Sequence, residues 1–292
     1  MSSKLNLSLD EVHQLLRTSS VQLDDRPYDR GDFAIPRRIE AIEKDGVRLI
    51  VRYGYHVSPI EAETTAFVAQ RTSVRVPTIH AVFSEYREDS GQTVTYIVEE
   101  RLPRTTLLEA LPTLDDHARQ VLTSELRTIF SQLAALSSHR DRLGPLRGPW
   151  HKGNAKFTWL LDRYPCGEND ARETRSFIQY WVNIIGRNSL TSHRVSDRLF
   201  EPYDFSRPPA FSHGDLKPTN VMVHEGHVVG IIDWAEAGWY PYFWDAYILH
   251  KSLHQLWAMF SIWEPMASQL GDPYMPEAKA MFRLLTLVED AS

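Results

Sequence analysis

The spacing of apolar residues changes along this chain, and the change lies near residue 101. Upstream, segments such as "RRIEAIEKDGVRLIVRYG" and "VPTIHAVF" alternate apolar with polar positions, which is typical of half-buried strands. The Asp-Gly pair at residues 45–46 predicts a tight hairpin turn within the first segment. The segment "SPIEAETTAFVAQRT" instead carries helix-start signals at Ser58 and Pro59. The pattern therefore predicts a small antiparallel sheet with one helix inserted between its strands.

Downstream of residue 101, apolar residues recur at helical spacing. The predicted helices cover residues 112–136, 172–186, 240–260 and 275–288. One aliphatic hairpin near residues 220–232 interrupts them. We therefore predict an α+β fold class with two parts, a sheet-containing N-terminal lobe at residues 1–100 and a mainly helical C-terminal lobe at residues 101–292.

Composition and charge narrow the class of protein. The chain has 292 residues, of which 42% are hydrophobic and 24% are charged, as in ordinary globular proteins. A net charge of −6 argues against a nucleic-acid-binding surface, and a single cysteine, Cys166, excludes an internal disulfide framework and a thiolate metal cluster. The polar N-terminus lacks the apolar core of a signal peptide, and no apolar run is long enough to span a membrane. We therefore expect a cytoplasmic protein without a membrane partner.

The stretch "FSHGDLKPTN" at residues 211–220 concentrates the candidate chemistry. It contains Asp215 and Asn220, and the aliphatic hairpin that follows ends on Asp233. Phosphoryl transfer from a nucleotide needs a carboxylate that orients the attacking hydroxyl, together with oxygen ligands for Mg²⁺. A hairpin would bring Asn220 and Asp233 together as such ligands. Asp and Asn beside Gly and Pro are also common in turns for backbone reasons, so a turn cluster is the alternative.

The pattern H-x-D-x-x-x-x-N, then an aliphatic hairpin and Asp, resembles the aminoglycoside phosphotransferase and choline kinase family of the protein-kinase-like superfamily. The segments "YIVEERLP" and "DWAEAGWYPYFWDAY" are similar to segments of fungal members. The resemblance covers most of residues 48–253 and implies a two-lobed kinase-like fold. It also implies an ATP- and Mg²⁺-dependent transfer of phosphate to a hydroxyl group of a small molecule.

The resemblance assigns roles to the residues of the quoted stretch. It implies that Asp215 is the catalytic base and that Lys217 contacts the transferring phosphate. Asn220 and Asp233 match the Mg²⁺ ligands, and His213 matches a supporting, structural histidine.

The resemblance also implies a nucleotide pocket in the N-terminal part. Glu63 matches the helix glutamate that pairs with a phosphate-binding cation, although Glu61 lies two residues away on the same predicted helix. Residues 98–102 match the hinge, so the backbone at Glu100 and Leu102 would bind adenine.

One position departs from the family. Arg52 stands where a lysine is expected to contact the α- and β-phosphates. The resemblance implies that Arg52 binds phosphate and pairs with Glu63, but a planar guanidinium is not a conservative replacement for an ammonium group. Two alternatives to a kinase therefore stay open: a pseudokinase that binds nucleotide or a metabolite without transfer, and a kinase-like scaffold repurposed in natural-product metabolism. We expect a monomer whose partner is a hydroxyl-bearing small molecule.

Overall fold

A computed structural model describes residues 5–23, 37–88, 90–102, 105–136, 143–146, 174–188 and 199–290. Cys166 lies outside the described residues. No helix in the described part of the chain combines the length and the hydropathy needed to cross a bilayer.

The N-terminal part contains the predicted antiparallel sheet. Its five strands are β1 (Val21–Gln22), β2 (Arg38–Lys44), β3 (Val47–Gly54), β4 (Ile79–Arg87) and β5 (Gln92–Glu100). They lie in the order β1-β2-β3-β5-β4, and every neighbouring pair is antiparallel. The predicted turn joins β2 to β3, with left-handed φ values of 54° at Asp45 and 76° at Gly46. Such values suit an Asp-Gly hairpin turn.

Alternation along the strands separates the two faces of this sheet. One face packs its apolar side chains against helix α1 (Leu9–Thr18), which begins with a capping box of Ser8 and Glu11. The buried β3 residues on that face are Leu49, Val51 and Tyr53. Because successive side chains of a strand point to opposite faces, Arg52 lies on the other face, as does helix α2 (Pro59–Arg71).

The C-terminal part is mainly helical, as predicted. Its helices are α3 (Leu107–Ala110), α4 (Asp116–Ala134), α5 (Thr174–Asn188), α6 (Trp244–Gln255), α7 (Phe260–Gly271) and α8 (Met275–Asp290). Their packed faces enclose large aromatic side chains that are at most 1% exposed: Trp181, Trp234, Trp244 and Trp263. The sequence analysis missed α7, because its predicted helix ended at residue 260.

Short strands complete this part. They are β6 (Thr105–Thr106), β7 (Gly144–Pro145), β8 (Ala210–Ser212), β9 (Val221–His224), β10 (His227–Ile231) and β11 (Gly238–Tyr240). The predicted hairpin is β9–β10, and β6 extends it to three strands. In the other small sheet, β11 pairs with both β7 and β8. Two-residue and three-residue strands carry too little alternation to be predicted from sequence.

The two parts meet beside the hairpin. Helix α2 packs on the 3₁₀ turn Trp234–Glu236, and the Ile231 N–H donates to the Arg75 carbonyl oxygen at 2.9 Å. The observed architecture confirms the predicted α+β, kinase-like fold class. The lobe boundary at residue 100 stays a prediction.

Candidate active site

The β9–β10 hairpin brings the two expected metal ligands to one end. Val221 pairs with Ile231, and the Ile232 N–H donates to the Asn220 carbonyl oxygen at 3.0 Å. Asn220 lies just before β9, and Asp233 lies shortly after β10. The antiparallel pairing of the two strands therefore brings both residues to the same end of the hairpin. This convergence is the one that the sequence analysis expected.

His213 joins the loop at residues 211–220 to the hairpin. Its side chain is fully buried, its Nε2 lies 3.0 Å from the Ile232 carbonyl oxygen, and its Nδ1 accepts from the Asp215 N–H at 3.3 Å. Burial lowers the pKa of His213, so the ring is neutral with its proton on Nε2. The structural role expected for His213 agrees with this geometry.

Asp215 has two side-chain neighbours within the loop. Lys217 Nζ lies 2.6 Å from Asp215 Oδ2, and the Asn220 Nδ2 donates to the Asp215 main-chain oxygen at 2.8 Å. The same Nδ2 is 3.3 Å from Asp215 Oδ2. The contact of Asn220 with Asp215 uses the amide nitrogen. The carboxamide oxygen takes no part in that contact and could serve as a cation ligand.

A glycine and a buried acid fix the start of this loop. Gly214 has φ +80°, and a Cβ there would lie 2.1 Å from the Glu236 carbonyl oxygen. The Gly214 N–H donates at 3.0 Å to Ser212 Oγ, which in turn donates to Asp245. Burial raises the pKa of Asp245 to about 6, and the Ser212 hydroxyl and the N–H groups of Gly214 and His213 oppose that rise. Asp245 thus braces the backbone from which Asp215 projects.

Asp233 carries two guanidinium groups on one oxygen. Its Oδ1 lies 2.8 Å from an Arg37 nitrogen and 3.1 Å from an Arg52 nitrogen. Burial would raise the pKa of Asp233, but Arg37 and Arg52 lower it well below its usual range. The residue itself has a left-handed φ of 67°. Asp233 is therefore ionised, and a metal ion would compete with two arginines for it.

Arg52 is enclosed by carboxylates. Its side chain is 5% exposed, with Glu61 Oε1 at 2.5 Å, Glu99 Oε1 at 2.8 Å and Asp233 at 3.1 Å. Burial would lower the pKa of Arg52, but these three acids raise it above its usual value. Burial raises the pKa of Glu99, against the effect of Arg52. The position expected to contact phosphate is thus the centre of a buried ionic cluster.

The expected pairing of Arg52 with Glu63 is corrected by this cluster. The α2 residue that pairs with Arg52 is Glu61, because Glu61, Thr65 and Val68 share the buried face of the helix. Glu63 is half-buried and lies about half a turn away from that face.

Sequence analysis also missed Glu99 and Arg37. Ile97 lies opposite Arg52 in the β3–β5 register, so Glu99 faces the same side two residues later. Ile39 lies opposite Arg52 on β2, so Arg37 faces that side as well. Both residues could have been found from the register of the hairpins.

Glu236 is a further missed acid at the site. It follows Asp233 on the 3₁₀ turn Trp234–Glu236 and is half-buried. Burial raises the pKa of Glu236 to about 8, and the negative charges of Asp215 and Asp233 add to the rise. At neutral pH it is therefore mostly protonated and adds little negative charge to the cluster.

The predicted hinge lies at the end of β5. The Glu100 side chain points away from Arg52 and contacts Arg75 and the Thr78 N–H. Leu102 is 6% exposed, and its Cδ1 would lie 2.3 Å from a Cβ at Gly230 on β10. A Cβ at residue 230 would therefore require the Leu102 side chain to move. Adenine binding by the backbone of these residues stays a prediction.

The donor set suits a hard divalent cation. Asn220 and Asp233 offer a carboxamide and a carboxylate, the oxygen ligands that Mg²⁺ prefers. Within the described ranges, no group of three or more His, Cys, Asp or Glu side chains has the arrangement of a metal site. A magnesium ion would therefore need further ligands from water and phosphate, which is its usual mode in nucleotide sites.

Comparison with solved structures supports the fold. The chain superimposes on a thermostable mutant of aminoglycoside phosphotransferase APH(4)-Ia in a ternary complex with ADP and hygromycin B. The TM-score is 0.61 at 14% identity, and the alignment covers 97% of this chain and 90% of that one. It also superimposes on macrolide 2'-phosphotransferase MphH from Brachybacterium faecium, with a TM-score of 0.52, 15% identity, and coverage of 96% and 90%.

Sequence comparison identifies the family. No curated protein matches the chain significantly by sequence. A model of the phosphotransferase enzyme family (APH) matches residues 46–269, which include both the predicted hinge and the whole loop and hairpin described above. This chain therefore belongs to the phosphotransferase enzyme family, within the protein-kinase-like superfamily.

Proposed function

We propose that this protein is an ATP- and Mg²⁺-dependent phosphotransferase that acts on a hydroxyl group of a small molecule. The observation that carries the proposal is the convergence of Asp215, Asn220 and Asp233 at one end of the hairpin. Phosphoryl transfer requires little covalent work from the protein beyond positioning and charge neutralisation. Asp215 would position the hydroxyl, and Asn220 and Asp233 would hold the cation that neutralises phosphate charge.

Each residue of the loop has a part in the proposed reaction. The Asp215 carboxylate accepts a hydrogen bond from the substrate hydroxyl and orients it for attack. Lys217, 2.6 Å from Asp215, is placed to neutralise the phosphate that is transferred. Asn220 and Asp233 would hold Mg²⁺, which when bound neutralises negative charge on the phosphates.

The nucleotide would bind between the sheet and the hairpin. Backbone groups at Glu100 and Leu102 would contact adenine. Similar solved structures contain ADP or AMP-PNP together with hygromycin B. We therefore infer a nucleotide and a hydroxyl-bearing small molecule as the two ligands of a cytoplasmic monomer.

A second candidate is a pseudokinase that binds nucleotide without transferring phosphate. It is favoured by the enclosed Arg52 and by the two guanidinium groups on Asp233 Oδ1. In this arrangement Arg52, the cation expected at the phosphates, is bound by carboxylates. The charge of Asp233, an expected metal ligand, is already neutralised by arginines.

Two measurements separate the candidates. Isothermal titration calorimetry with ATP, with and without Mg²⁺, tests nucleotide binding. Release of ADP over a panel of hydroxylated small molecules, with water as the reference acceptor, tests transfer. The kinase predicts Mg²⁺-dependent binding and acceptor-dependent ADP release, whereas the pseudokinase predicts binding with release at the background rate.

The Asp215→Asn variant is the control. It keeps the size of the side chain and its position, so we expect its melting temperature to stay within about 2 °C of the wild type. Turnover should fall at least about 100-fold, because loss of a positioned base costs that much or more. Wild-type turnover in this variant would remove Asp215 from its assigned role.

A further inference from the structure

The cation that contacts the nucleotide phosphates need not be Arg52. Three carboxylates already hold that guanidinium, at 2.5 Å, 2.8 Å and 3.1 Å. Two of them, Glu61 and Glu99, are 5% and 6% exposed. If Arg52 turned towards a phosphate, both glutamates would be left buried without their partner, which is costly. Arg52 is therefore held as a structural cation.

Arg37 is placed on the same face of the sheet and is less constrained. It precedes β2 and lies two residues before Ile39, which pairs with Arg52. Its side chain is 25% exposed, and its contact in the cluster is Asp233 at 2.8 Å. Among the described residues its Nε is buried and has no hydrogen-bond partner. A guanidinium has five N–H donors, so Arg37 keeps donors for an additional acceptor.

Arg37 and Arg52 contact the same acceptor, Asp233 Oδ1. The loss of the one contact or of the other would have different consequences. If an anion takes Arg37, Asp233 keeps Arg52 at 3.1 Å and its charge stays compensated. If an anion were to bind Arg52, Glu61 and Glu99 would lose the cation that they contact. The electrostatics of the cluster thus favour Arg37 as the group that changes partner.

We infer that Arg37 is a phosphate-binding residue, which contacts the triphosphate of the bound nucleotide in place of residue 52. Binding would exchange the Asp233 carboxylate on Arg37 for phosphate oxygens and leave Asp233 Oδ1 with Arg52 instead of two guanidinium groups. The contact is charge-assisted and can be bidentate, as guanidinium–phosphate contacts often are. This inference rests on the nucleotide binding of the proposed function.

The test compares ATP with adenosine in calorimetric titrations at fixed Mg²⁺. In Arg37→Gln we expect ATP to bind about tenfold to a hundredfold more weakly, the usual effect of losing a hydrogen bond between charged groups. Adenosine, which has no phosphate, should bind as it does to the wild type. Arg37→Lys should recover part of the affinity for ATP.

Arg38→Gln is the matched control. Arg38 is the next residue, its side chain is exposed, and it points to the opposite side of the strand, so the variant removes the same charge without removing the Arg37 contact. Its affinity for ATP should stay within about twofold of the wild type. Melting temperatures of all variants should agree within about 2 °C, since Asp233 retains Arg52. If Arg37→Gln does not fold, the Arg37→Lys comparison decides.

Each outcome bears on a stated hypothesis. Equal ATP affinity of Arg37→Gln and the wild type overturns the inference, as does an equal loss of adenosine binding. A wild type that binds ATP but releases no ADP refutes the proposed transfer, and the affinity comparison still decides the role of Arg37. A wild type that binds neither ATP nor adenosine overturns both.

Discussion

Replacement of Arg52 by methionine tests whether its buried ionic cluster is structural. Methionine keeps much of the volume of the side chain and removes the charge. Glu61 and Glu99 would then be left at 5% and 6% exposure without the cation they contact. Asp233 would keep Arg37 at 2.8 Å and is partly exposed, so it adds little to the cost.

The expected cost follows from the two buried carboxylates. Removing one partner of a buried ion pair destabilises a protein by about 3–5 kcal/mol. The unfolding entropy of a chain of 292 residues is roughly 0.6 kcal/mol per kelvin, so the melting temperature should fall by about 5–8 °C. Arg119→Met removes an exposed pair on α4 with Asp116 and should lower it by less than about 1 °C.

The dependence on pH identifies the cause. In Arg52→Met, Glu99, whose pKa burial already raises, can escape the cost of burial only by binding a proton. A carboxyl whose pKa is raised in the folded state stabilises the fold at low pH and loses that effect as pH rises. The deficit measured by differential scanning fluorimetry and circular dichroism should therefore be smaller at pH 5 than at pH 8.

A rescue variant completes the test. Replacing Arg52 by methionine together with Glu61 and Glu99 by leucine removes all the uncompensated charges, and it should recover most of the lost stability. An unchanged melting temperature in Arg52→Met would refute the structural role of Arg52. A deficit that is equal at both pH values and is not recovered by the rescue would show that lost packing, not charge, is the cause.

Two further predictions concern the neighbouring residues. Gly214→Ala places a Cβ 2.1 Å from a backbone oxygen at φ +80°, so we expect a loss of stability above about 3 kcal/mol, measured by urea denaturation. An unchanged denaturation midpoint would contradict that geometry. Glu236 has a pKa of about 8 against 4.5 for the exposed group, so its contribution to stability is present below about pH 4.5 and is lost as pH rises to 8. In metal-free buffer, Glu236→Gln should remove this pH dependence. It should stabilise the protein at pH 9 by about 1–2 kcal/mol, since the group is only half-buried. Parallel stability profiles of variant and wild type against pH would contradict the expectation.

Local signals were sufficient for the longer strands, for most of the longer helices and for the motif. Alternation predicted β2 to β5, and helical spacing predicted α4, because burial of one face imposes the periodicity directly on the sequence. Asp215, Asn220 and Asp233 could be identified because the hairpin between them is itself readable, and its pairing dictates that its ends meet.

The sequence by itself did not determine the charges around these residues. The family resemblance favoured Glu63, but which acid meets Arg52 depends on the face that the helix turns towards β3, and that face carries Glu61. The contacts of Asp233 with Arg37 and of Arg52 with Glu99 join residues separated by 196 and 47 positions. Such contacts leave no periodic signal, because they arise only when the sheet register and the packing of the sheet on the hairpin are both in place. The tertiary structure alone therefore decided that Arg52 is enclosed and that Arg37 is the arginine with donors to spare.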